Sequence, residues 1–151
     1  MKRLLLFGAI VLVLAACSKD KFQTVPQIEI TSFGPDEVVK GQLIKLTANV
    51  TDQEGDLQDS LYVVRKRYNG SFVLGSADTT RYFLQPLGAP KKQQIEVQVL
   101  FLYGELAPEI APIQNLETFA DRDFTIGLVA IDNAGNRSEY VESKRIVLKK
   151  L

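Results

Sequence analysis

Past residue 25 the chain repeatedly alternates apolar and polar residues with a period of two. In "LIKLTANVTD", residues 43–52, Ile44, Leu46, Ala48 and Val50 take turns with Lys45, Thr47, Asn49 and Thr51. Successive strand side chains point to opposite faces, so this spacing predicts a strand with one face buried. "QIEITSF", 27–33, sets Ile28 and Ile30 on one face. "SLYVVRKRY", 60–68, carries the β-branched and aromatic residues that suit a pleated surface. It runs into Asn69-Gly70, both of which accept the positive φ of a hairpin turn, so "SFVLG" is expected to fold back on it. A weaker strand is expected in "TTRYFL", 79–84. "QQIEVQVLFLY", 93–103, turns Ile95, Val97, Val99 and Phe101 inward, and "DFTIGLVAID", 123–132, does so with Phe124, Ile126, Leu128 and Ala130. "EYVESKRIVLKK" is expected as a single closing strand whose terminal lysines discourage edge pairing.

Seven or eight strands, Gly/Pro/Asn/Asp-rich gaps and no convincing amphipathic helix predict an all-β fold, an antiparallel β-sandwich over residues 26–150. One connection is long. Residues 104–121 include Leu106, Ile110, Ile113, Leu116 and Phe119, and the spacing from Ile113 to Phe119 permits a short helical turn. In Arg65-Lys66-Arg67, alternation sends the arginines to one face and the lysine to the other, the pattern of a solvated strand rather than a basic patch.

The start of the chain follows another pattern. Lys2 and Arg3 precede an apolar run from Leu4 to Ala16, too short for the roughly twenty residues that span a bilayer. A basic start, a short apolar centre and small residues before a cut make a signal peptide, residues 1–16. The one cysteine, Cys17, follows at once, and alone it forms no intramolecular disulfide. Leu14-Ala15-Ala16-Cys17 resembles the lipobox of bacterial lipoproteins. That resemblance implies a thiol alkylated by diacylglycerol, an acylated new N-terminus and membrane attachment through Cys17. Residues 17–25 are then a lipidated tether. Ser18 stands where Asp would imply inner-membrane retention, so the resemblance implies the outer membrane, with the domain facing the periplasm or the cell surface. Lys19, Asp20 and Lys21 loosely resemble the charged export signals of Bacteroidetes lipoproteins.

Composition narrows the chemistry. Loss of Lys2 and Arg3 leaves 16 basic residues against 18 acidic ones, without the concentrated basic face that nucleic acid requires. There is no histidine, which excludes Ser-His and Cys-His nucleophiles and disfavours zinc, copper and iron. No cofactor is required by anything in the sequence. A catalytic carboxylate pair would need two acids set apart in a cleft. The acids here cluster in turns, and the chain is expected not to be an enzyme.

Those turns are "TDQEGDLQD" and "IDNAGN". They supply Asp52, Glu54, Asp56, Asp132 and Asn136, the hard oxygen ligands that calcium takes six to eight at a time. The same residues close a turn without an ion, because Asp and Asn accept backbone N–H groups nearby and Gly supplies positive φ. "LTANVTDQEGDLQDSLYVV" and "FTIGLVAIDNAGNRSEYVESKRIVL" are similar to cadherin-like and PKD-like modules of bacterial surface proteins, with Asp52, Gly55, Asp56, Asp132, Gly135 and Asn136 matching. The resemblance implies an immunoglobulin-like sandwich, both turns at one end, and calcium as the candidate ion. The functional expectation is a lipid-anchored, non-enzymatic binding or accessory module for an envelope protein or glycan partner. A calcium-stabilised spacer of an envelope complex and a carboxylate-dependent hydrolase are the alternatives.

Overall fold

The computed structural model describes residues 23–151 except 58, 76, 86–89, 106–109 and 114–119, and the backbone alone at 111–113. The signal peptide, Cys17 and the tether as far as residue 22 lie outside the described residues. So does most of the helical turn expected between Ile113 and Phe119, while Ile113 itself ends a strand.

Eleven strands stand among the described residues: β1 Gln27–Gly34, β2 Glu37–Val38, β3 Leu43–Thr51, β4 Ser60–Asn69, β5 Phe72–Val73, β6 Asp78–Phe83, β7 Gln94–Tyr103, β8 Ala111–Ile113, β9 Arg122–Ile131, β10 Val141–Glu142 and β11 Ile146–Leu148. One sheet runs β1-β3-β7-β8 and the other β2-β11-β9-β4-β5, with β6 on β4 and β10 on β9. The two sheets pack face to face as an immunoglobulin-like sandwich. Pairing is antiparallel except where β2 joins β11 and β8 joins β7.

Alternation places the core as expected. Ile44, Leu46, Ala48 and Val50 of β3 are wholly buried, and Phe124, Ile126, Leu128 and Ala130 face them from β9. Phe101 and Val99 of β7 are buried, but Ile95 and Val97 are half-buried; Val97 borders a groove of about 460 Å³ shared with Leu61, Tyr82 and Leu84. In β1 the inward set is Ile28, Ile30 and then Phe33, a step of three. A bulge between Ile30 and Ser32 absorbs the extra residue, and Thr31 Oγ1 donates to the Thr47 carbonyl at 3.1 Å.

The expected single closing strand is two. β10 and β11 both pair with β9, separated by residues 143–145. There Ser143 Oγ accepts the Ile126 N–H at 3.0 Å, a bond a continuous ladder would give to a backbone carbonyl. Ser138 Oγ does the same for the buried Ala130 N–H at 2.9 Å. The basic run also departs from a plain solvated strand. Arg65 turns toward the inter-sheet space beside Phe101, 5.6 Å from its ring centre, while Lys66 lies on the outer face against Glu142.

Strand register defines two poles. Gln27, Thr51 and Gln94 form one row, Phe83, Ser60 and Ile131 another, and both rows close the same end of the sandwich. The β4–β5 turn, Gly104 and Leu151 close the opposite end, where Tyr103 Oη donates to the Lys149 carbonyl at 2.6 Å.

Candidate metal centre

At the first pole two turns share one pattern: Asp, two residues, Gly, then Asp or Asn, as DQEGD at 52–56 and DNAGN at 132–136. Each opens where a central strand ends, β3 at Thr51 and β9 at Ile131. Asp52 Oδ2 accepts the Gly55 N–H at 2.9 Å and the Asp56 N–H at 3.4 Å. Asp132 Oδ1 accepts the Asn136 N–H at 2.8 Å. Gly55 and Gly135 take φ of 67° and 86°, the left-handed region that favours glycine. Gly55 also has no room for a side chain: a Cβ there would stand 3.1 Å from the backbone of Lys92. The first turn is pinned to the core by Leu57, which is wholly buried.

The turns meet. The Asn133 N–H donates to the Asp56 carbonyl at 3.1 Å, and the Asp52 N–H donates to the Gln93 carbonyl at 2.9 Å. One carboxylate oxygen from each of Asp52, Asp56 and Asp132 then falls within 4.8 Å of the others. Asp52 is 0% exposed and Asp132 1%. Two oxygens in this group, Asp52 Oδ1 and Asp56 Oδ1, are buried without a hydrogen-bond partner. Turn closure accounts for Asp52 Oδ2 and Asp132, and leaves these two oxygens unexplained. A buried acceptor with no donor is costly, so a cation or a proton is what the arrangement fits. Burial raises the Asp52 carboxyl above its ordinary pKa, and Asp56 beside it pushes the same way, because a proton on Asp52 would be shared with the neighbouring carboxylate and relieves its charge, against the two backbone N–H donors.

The expected ligand set is brought together only in part. Asp52, Asp56 and Asp132 converge. Glu54 is exposed and is not one of the three clustered carboxylates. Asn136 braces: its Nδ2 donates to Asp132 Oδ2 at 2.9 Å. Asp59, in the same loop, is tied to Ser60 and Arg81 at 2.6 and 2.7 Å. Sequence reasoning missed a second polar cluster on the outer face of β9. Glu142 accepts from Lys66, Tyr68, Thr125 and Tyr140 at 2.6–2.9 Å. Those four donors satisfy it, so it is a clasp rather than a site.

No family model matches the sequence, and no curated protein matches it. The solved structures it is similar to are distant. The sporulation control protein Spo0M of Bacillus subtilis aligns over 84% of this chain and 50% of its own, at 10% identity and a TM-score of 0.47. This chain therefore spans half the length of that protein. A conjugative transposon lipoprotein of Bacteroides eggerthii aligns over 82% of this chain and 98% of its own, at 14% identity and a TM-score of 0.37. A CARDB domain from Pyrococcus furiosus, in complex with di-metal ions, aligns over 83% and 90% at 12% identity and a TM-score of 0.29. Likeness of this degree carries no argument about what the chain does.

Proposed function

We propose that the chain is a lipid-anchored, non-enzymatic accessory module of a bacterial outer membrane. Its immunoglobulin-like sandwich is held out to a protein or glycan partner, and a calcium ion braces the acidic pole. The lipobox-like Leu14-Ala15-Ala16-Cys17 supports the anchor. The observation that carries the ion is the pair of buried, partnerless oxygens on Asp52 and Asp56 beside Asp132. Asp52, Asp56 and Asp132 would hold the ion, which supplies a positive charge in place of a proton. Oxygen donors without histidine or thiolate suit calcium or magnesium rather than zinc or copper. The sandwich itself then acts as a rigid carrier.

Two measurements test this. Calorimetry of the mature chain with calcium chloride should show saturable heat, and chelator should lower the melting temperature; no heat and an unchanged melt would remove the ion. Gentle solubilisation of the native membrane should recover the acylated protein with a stoichiometric partner. Repeated recovery of the lipoprotein alone would remove the accessory role.

A further inference from the structure

The chain enters the sandwich through the acidic pole. The Gln23 carbonyl accepts the backbone N–H of Gln53, which lies within the first acidic turn, at 2.9 Å. One residue on, the Thr24 carbonyl accepts Asn136 Nδ2–H from the second turn at 3.4 Å. That same amide nitrogen donates to Asp132 Oδ2 at 2.9 Å, so a carboxylate of the cluster sets its direction. Pro26 is buried behind these contacts. Residues 23 and 24 therefore sit on both turns at once.

Three carboxylates within 4.8 Å repel when ionised, and the fully buried Asp52 Oδ1 has no donor to offset its charge. A divalent cation removes that repulsion and draws the turns together. We propose that the cation site is also a clamp on the tether. With the ion bound, residues 23–26 are locked to the acidic pole. Without the ion the turns part, the two exposed hydrogen bonds fail and residues 23 and 24 come off the pole. The clamp rests on the cation reading above.

Amide hydrogen exchange on the mature acylated chain in detergent, in calcium chloride and then in EGTA, tests it. The Gln53 amide reports the tether. The Asp52 amide, next to Gln53 in the same turn but bonded to the Gln93 carbonyl ahead of β7, is the control. Calcium should slow Gln53 exchange by about tenfold, within the roughly 5–150-fold range of ordinary coupling, and slow Asp52 much less. Deleting residues 18–24, so that Cys17 joins Val25, should weaken calcium binding by the same factor, because linkage is reciprocal. Equal calcium affinity in both chains, or equal slowing of Gln53 and Asp52, overturns the clamp and leaves the ion site standing. Absence of calcium binding in the parent chain overturns both.

Discussion

The two oxygens of Asp52 stand in different surroundings. Oδ2 closes its turn on Gly55 and Asp56, and Oδ1 is buried without a hydrogen-bond partner. Its raised pKa has a definite sign. A group that prefers its proton when folded adds stability fully below its unfolded pKa, near 3.8, and loses it as pH rises through the folded value. In chelator, Asp52 therefore costs stability toward neutral pH, and calcium restores it. Asp52→Asn keeps an acceptor for the turn but removes the charge. It should raise the melting temperature in EGTA at pH 7, by about 2–4 °C for each kcal/mol relieved, and abolish the upward shift on adding calcium. A lower melt in EGTA, or a preserved calcium shift, would contradict the assignment. The three converging acids were legible in the sequence because Asp-x-x-Gly spacing is turn chemistry. Glu54 and Asn136 lie in the same turns, and only the coordinates show that Glu54 is exposed while Asn136 Nδ2 donates to Asp132.

The long strands β3, β4, β7 and β9 were legible because each has one face in the core and alternates accordingly. β2 and β8 have two and three residues and add in parallel, too short to carry a period. The split between β10 and β11 was illegible for another reason: a serine hydroxyl replaces a backbone carbonyl in the ladder, and that exchange leaves no mark on polarity. Ser138 makes the same exchange ahead of β10, and Ser138→Ala should cost about 1–3 kcal/mol in chemical denaturation, since it strands the buried Ala130 N–H. A loss under half a kcal/mol would mean another acceptor takes over. The Glu142 clasp joins residues up to 76 positions apart, beyond any local pattern. Burial alone would raise its pKa, but hydrogen bonds from Lys66, Thr125, Tyr68 and Tyr140 outweigh burial and hold it at about 2. Its contribution is present above the ordinary value of 4.5 and is lost as pH falls toward 2. Glu142→Gln should be less stable than the parent at pH 7 and flatter across that acid range; parallel acid curves would show the clasp to be inert. Gly127 belongs to the same clasp, for the Tyr140 ring lies where a Cβ would go.

At the scale of the molecule the two poles differ in kind. One gathers acids and receives Gln23 and Thr24. The other carries the β4–β5 turn, where Phe72 is 79% exposed on a two-residue strand that adds nothing to the core. Phe72→Ser should leave stability within about 0.5 kcal/mol, as surface changes do, while reducing partner recovery from solubilised membranes. Undiminished recovery would move the contact off this turn.

Leu151 lies beside Gly104 at the pole away from Gln23. The ten-residue strands β7 and β9 separate the two ends by roughly 30 Å at about 3.3 Å per residue. A fluorescent reporter or an affinity handle spliced after Leu151 would stand at the far end from Gln23 with the sandwich as its pedestal, whereas cargo inserted just before Gln23 would crowd the acidic turns.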